Sequence, residues 1–407
     1  MKYSQDFLKE MPKSDLHLHL DGSLRISSML EMAQITNTAL PSNTEEGLRD
    51  LVFKPSYNSL GEYLTGFQYT CSVLRNEENI ERASYELAID NLAEGVNYIE
   101  VRYAPQLLVD QSIGLTIEKV LIATNKGLDR AKKEYNNSKE VIKDGKPTFN
   151  YGIICCAMRM FGPDGFSPFY TNLFDVMKYV KPMQVITIAA NELARASVKM
   201  RGELGLPIVG IDLAGQEEGY PPNKFKEAYE YAHKNFMHKT VHAGEAYGAE
   251  SIFQAITDCY ADRLGHGYSL FIPELIVDPE ITDKKKYIED LASFIADKRT
   301  VIEVCLTSNM QTNPDLKDIK DHKFKDMLKN RMATTICTDN RLVSNTTVTD
   351  EYRLAVDNFD IPLKRLKDIV AYGFKKSFYP GSYVEKRKYA KEVMHYFDKI
   401  VEKHNIK

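Results

Sequence analysis

The chain has 407 residues, of which 43% are hydrophobic and 27% charged, with a formal net charge of −4. This balance is that of an ordinary globular protein and excludes a disordered chain or a membrane-embedded one. Lysine runs such as Lys284 to Lys286 are offset by Asp283 and Glu289, a solvated helix face rather than a phosphate track, so nucleic acid is not an expected partner.

The N-terminus, MKYSQDFLKEMPKSD, carries charges throughout and lacks an apolar stretch of signal-peptide length. No run approaches the ~20 apolar residues of a membrane span. Six cysteines, at 71, 155, 156, 259, 305 and 337, form no C-x-x-C pair, and a reduced, cytoplasmic protein is expected. Cys155 and Cys156 sit in an apolar run and read as strand packing.

Eight apolar segments read as strands: 14–19, 96–102, 149–158, 207–213, 239–242, 262–266, 301–306 and 334–339. Between them the helical period recurs, as over 76–94, 113–134, 223–236, 249–260, 314–329 and 347–358. Alternation of this kind predicts an α/β protein with parallel strands. The first connection, about 20–95, is too long for a simple crossover and is expected to be a helical lid insertion. The charged stretches 137–147 and 273–299 read as peripheral insertions, while 362–373 and 380–403 suggest closing helices separated by Pro380 and Gly381. No repeat or low-complexity linker divides residues 1–407, so one domain is expected.

Four motifs end apolar segments: Asp15-Leu-His-Leu-His19, His242-Ala-Gly-Glu245, Gly265-His266-Gly267 and Thr338-Asp339-Asn340. In a strand His17 and His19 share one face while Leu16, Leu18 and Leu20 take the other. His242 and Asp339 complete a set of three imidazoles and one carboxylate, which suits Zn²⁺ and is ill matched to Mg²⁺ or Ca²⁺. Glu245 and His266 are left for proton chemistry. His242 and Glu245 would face opposite ways on a straight strand, so Ala243-Gly244 must turn the chain. Asp339 and Asn340 can address one pocket only where their strand ends.

The ligands come from the first, fifth and eighth strands. In a closed (β/α)8 TIM barrel the eighth strand lies beside the first, and all three ends meet at one mouth. The run Gly210-Ile-Asp-Leu-Ala-Gly215 places Gly215 just past a strand, where its N–H can meet a planar ligand or simply make a turn. Asp21 can hold a ligand hydroxyl or open the next helix.

Taken in order, SDLHLHLDGSLR, YIEVRYAP, GIDLAGQE, TVHAGE, RLGHGYSL, CLTSNMQTNP and TDNRLVSNTTVTDEY resemble the adenosine deaminase family from about Ser14 to Tyr352. The resemblance implies a barrel holding one Zn²⁺ per chain and hydrolytic removal of the 6-amino group of adenosine or 2′-deoxyadenosine. It implies that His17, His19, His242 and Asp339 bind the metal, that Glu245 handles the purine N1 proton, and that His266 orients and stabilises the hydroxide. His19, Asp21, Gly215 and Asn340 would contact substrate: Asp21 the 5′-hydroxyl, the Gly215 amide N3, and Asn340 N7. Asn340 departs from the second aspartate of many members, and its amide donates at any pH where a carboxylate needs a shared proton.

Within this chemistry, adenine, AMP and aminodeoxyfutalosine are alternative substrates. A phosphate would want a basic cluster, for which Arg25, Arg102 and Arg341 are the candidates. The H-x-E and P-C-x-x-C signature of cytidine-type deaminases is absent, and no lysine is placed to bridge two metals. A purine-binding protein without turnover should have lost ligands or the acid, and all are present. The expected partner is a small purine nucleoside; the sequence does not give the oligomeric state.

Overall fold

A computed structural model describes residues 3–406. Its centre is an eight-stranded sheet in chain order: β1 Lys13–His19, β2 Val96–Tyr103, β3 Asn150–Met158, β4 Ile208–Ala214, β5 His238–Ala243, β6 Arg263–His266, β7 Val301–Val304 and β8 Thr334–Ile336. Each strand pairs in parallel with the next. Beyond β8 the ring closes on β1: Asp339 N–H donates to the His17 carbonyl and His19 N–H to the Asp339 carbonyl, both at 2.8 Å. The expected TIM barrel is therefore the observed one, and each predicted strand falls on an observed strand.

Burial explains why these runs choose strands. Every residue of β1, β2 and β4 is buried, as strands covered on both faces require. The β1–β2 connection holds five helices, Ile26–Thr36, Glu45–Leu51, Leu60–Leu64, Phe67–Val73 and Glu77–Leu92. The last opens on Asn76, whose side chain accepts the Asn79 N–H. The terminal helix Tyr383–Lys403 begins three residues later than predicted, because Ser382 and Glu385 form a reciprocal capping box there.

Three expectations are corrected. The stretch 273–299 is not peripheral: helix Lys284–Lys298 is the β6–β7 crossover and buries Ile288, Leu291, Ala292 and Ile295. The helix expected over 314–329 is reduced to a 3-10 turn, Ile319–Asp321, and a short helix, Phe324–Lys329. Pro314 disfavours helix at Asn313, and the Asp318 and His322 side chains take the N–H groups of Lys320 and Phe324. Finally, the β3–β4 crossover is the 22-residue helix Pro182–Glu203, within a stretch to which the pattern assigned none. Four of its nine buried residues are alanine (Ala189, Ala190, Ala194, Ala196), which weakens the hydrophobic contrast.

The barrel interior carries charge. Glu100, Arg102, Asp212, Arg263 and Glu303 are all fully buried. Arg102 bonds Asp212 at 2.9 Å and Glu303 at 2.8 Å, while Arg263 bonds Glu303 at 2.7 Å and also Glu100. Arg102 is thus an internal ion-pair partner. Arg341 pairs with Glu94 and Arg25 with Asp90, so all three candidate phosphate-binding arginines already have carboxylate partners. All six cysteines are free and buried.

Candidate active site

The barrel mouth at the C-terminal strand ends gathers the metal-ligand, catalytic and substrate candidates His17, His19, Asp21, Gly215, His242, Glu245, His266, Asp339 and Asn340, but not the three candidate arginines. His17 and His19 leave β1 on one face, His242 comes from β5, and Asp339 follows β8. The Nε2 atoms of His17 and His242 are 3.0 Å apart, and those of His19 and His242 3.3 Å. Asp339 Oδ1 lies 3.4 Å from both His17 Nε2 and His19 Nε2. One ligand atom from each of the four residues falls within 4.8 Å of all the others, and all four side chains are buried.

Neighbouring side chains decide which way these groups face. His17 Nδ1 lies 2.9 Å from Glu303 Oε2 and His242 Nδ1 lies 2.9 Å from Asp212 Oδ2. A carboxylate on Nδ1 keeps the ring proton there and turns the Nε2 lone pair toward the centre. Two such lone pairs 3.0 Å apart repel each other, so a cation between them suits this donor set. Ser308 donates to Asp339 Oδ2 at 2.7 Å and leaves Oδ1 for the imidazoles. Arg102 and Arg263 hold the Glu303 carboxyl well below its ordinary range against the opposing effect of burial.

The HAGE segment turns as its composition demands. Gly244 has φ +74°, and the chain bends so that Glu245 lies 3.7 Å from His266 Nε2. Burial pushes the Glu245 carboxyl well above its ordinary range, with the nearby charges of Asp339 and Glu217 adding to the effect. The shift favours the protonated form, the state from which a carboxyl can give a proton. His266 and Asp339 both have φ +62°, a left-handed conformation uncommon outside glycine that aspartate and histidine adopt more readily than most side chains.

Asp21 is buried, and desolvation raises its carboxyl to about 7. Gly215 lines the same cavity, as do His19 and Asn340. The Asn340 amide donates to Tyr63 Oη at 2.8 Å, and Tyr63 in turn meets Ser344 Oγ at 2.8 Å. Gly22 is required here: a Cβ would come within 1.8 Å of Asn340 Oδ1.

The sequence reading assigned no role to Glu217, Asn309 or His322. Glu217, fully buried, accepts the backbone N–H groups of Gly244, Glu245, Ala246 and Tyr247 at 2.8–3.1 Å and the Ser251 hydroxyl. It holds the turn that carries Glu245. The only signal was an acid just past β4 within the quoted GIDLAGQE run.

The cavity above this cluster encloses about 300 Å³. Apolar side chains such as Leu107, Met158, Phe161, Phe166 and Tyr170 wall one side, and Leu60, Leu64 and Phe67 reach in from the β1–β2 connection. Among the described residues, no lysine or arginine lines it. The arrangement offers a cation-binding centre, a buried acid and a flat apolar slot. Among the described residues no helix is long and apolar enough to cross a membrane.

The profile of the adenosine deaminase family matches residues 12–166 and 175–396. An adenosine deaminase of Mycobacterium leprae is 33% identical over 375 residues, covering 92% of each chain. A probable adenosine deaminase of Dictyostelium discoideum is 29% identical over 92% of this chain, which spans only 41% of that longer protein. Among solved structures, a zinc-bound amidohydrolase from Burkhoderia ambifaria superposes with a TM-score of 0.74 at 18% identity, covering 99% of this chain and 95% of the other.

Proposed function

The chain belongs to the adenosine deaminase family, and from that membership we propose that it hydrolyses adenosine and 2′-deoxyadenosine at C6 to inosine, or 2′-deoxyinosine, and ammonia. The observation that carries the reading is Glu245, buried and with its carboxyl shifted toward the protonated form, beside a three-histidine, one-aspartate cluster. His17, His19, His242 and Asp339 would hold one Zn²⁺, which when bound acidifies water and supplies a nucleophile at neutral pH.

The protein's own groups then act on the purine. Addition of oxygen at C6 moves electrons onto N1, and Glu245 gives N1 its proton as that charge develops. His266 stabilises the oxygen added at C6. The C6–N6 bond breaks once the amino group has gained a proton, and ammonia leaves. The Gly215 N–H meets N3, Asp21 the 5′-hydroxyl, and Asn340 the N7 edge. The apolar walls take the faces of the base and exclude water.

A nucleoside suits the cavity better than a nucleotide, because a phosphate would enter a slot with no cationic side chain, and Arg25, Arg102 and Arg341 are engaged elsewhere. The test is metal analysis of the purified protein together with ultraviolet and ammonia assays on adenosine, 2′-deoxyadenosine, adenine, AMP and aminodeoxyfutalosine. Turnover of the two nucleosides with about one zinc per chain is the expected result. Turnover of adenine alone, or full activity without metal, would overturn it.

A further inference from the structure

Behind His266 runs a chain of buried polar groups that leads away from the metal cluster. The backbone N–H of Phe324 donates to His322 Nδ1 at 3.0 Å. His322 Nε2 meets Asn309 Oδ1 at 3.1 Å, and Asn309 Nδ2 meets His266 Nδ1 at 3.2 Å. His322, Asn309 and His266 are each fully buried. At the far end, His266 Nε2 is buried without a hydrogen-bond partner and points into the site 3.7 Å from Glu245 Oε1.

The direction of every bond in this chain follows from its first member. A backbone N–H can only donate, so His322 Nδ1 is an acceptor and the ring carries its proton on Nε2. That proton must meet an acceptor, which orients the Asn309 carboxamide with Oδ1 toward His322 and its NH₂ toward His266. The NH₂ in turn demands a lone pair on His266 Nδ1. A flipped amide would set its NH₂ against the His322 Nε2–H, two donors face to face whichever tautomer His266 took, an arrangement a buried site does not tolerate.

We propose that His322 and Asn309 are positioning residues that lock His266 in the tautomer with its proton on Nε2, making it a hydrogen-bond donor to the oxygen arriving at C6. The backbone of helix Phe324–Lys329 thereby sets the polarity of a side chain two hydrogen-bonded groups away. The role of that oxygen rests on the deaminase reading above; the tautomer itself does not. In this form Nε2 has no in-plane lone pair to offer, so His266 stabilises negative charge in the site and does not accept a proton there through Nε2. The buried Nε2–H with no protein partner is then explained as a donor kept for substrate.

The experiment is ¹⁵N spectroscopy of the histidine-labelled, zinc-loaded protein without substrate, with His266 assigned by comparison with His266→Gln. The expected spectrum shows a protonated Nε2 and an unprotonated Nδ1 at His266. Asn309→Asp presents an acceptor to Nδ1 and should move a proton onto it, with kcat lowered by about 10²-fold and KM little changed. His322→Gln, whose amide can still donate to Asn309 Oδ1, should keep the wild-type signature, whereas His322→Leu should lose it. A wild-type His266 protonated on Nδ1, or an unchanged His266 spectrum in both Asn309→Asp and His322→Leu, would overturn the proposal. Because the spectrum needs no substrate, an error in the substrate assignment would leave this result standing.

Discussion

Glu217 accepts the backbone N–H of Glu245 at 2.9 Å, so one buried acid, carried on the loop after β4, fixes the main chain that presents another. Their separate origins matter. The turn after β5 has a positive-φ glycine and four N–H groups that all donate to Glu217, an acceptor brought from a distant part of the chain.

Glu217→Ala should therefore destabilise the protein by at least about 2 kcal/mol, since it strands several buried donors. Urea denaturation measures this. A loss below about 0.5 kcal/mol, the range of ordinary surface substitutions, would show that the turn stands without its acceptor.

Glu245→Gln should keep its metal and lose deamination by at least about 10²-fold, because the amide preserves shape and hydrogen bonding but cannot deliver a proton to N1. Elemental analysis and steady-state rates on the same sample separate the two effects. Near-normal turnover would remove the acid from the mechanism.

Removing a ligand should act on binding and rate together. His17→Ala is expected to lower zinc content and activity in parallel, and chelation of the wild-type protein should abolish activity until zinc is restored.

Glu303→Gln tests the layer beneath. Glu303 accepts from Arg102, Arg263 and Thr240 and lies against His17 Nδ1. Losing its charge should weaken zinc binding by about 10- to 100-fold. A competition titration against a chromophoric chelator gives that ratio, and an unchanged affinity would limit Glu303 to a packing role.

His322 makes stability depend on pH. Burial lowers its pKa to about 3, against about 6.5 in an unfolded chain. Between those values the unfolded chain binds the extra proton, so this contribution is intact above pH about 6.5 and is lost as pH falls toward 3, at up to about 1.4 kcal/mol per unit. Relative to wild type, His322→Gln should flatten the acid side of the stability curve. Parallel curves for the two proteins would contradict the assignment.

Much of this architecture is local in origin and so could be read from the chain. Strand period, caps and the glycines beside His266 act over a few residues, and the eight strands and four site motifs stand where those signals put them. The misreadings share a cause as well. Helix Pro182–Glu203 has alanine at four of its nine buried positions, and helix Lys284–Lys298 hides four apolar residues among charges, so neither has a strong amphipathic signature. What only the tertiary structure decided is the set of contacts between separate elements: Glu303 against His17, Asp212 against His242, Glu217 beneath the HAGE turn, and His322 through Asn309 to His266. Those pairs are separated by up to 286 residues. A buried charge or lone pair takes its meaning from its partner, and barrel closure is what brings the partners together.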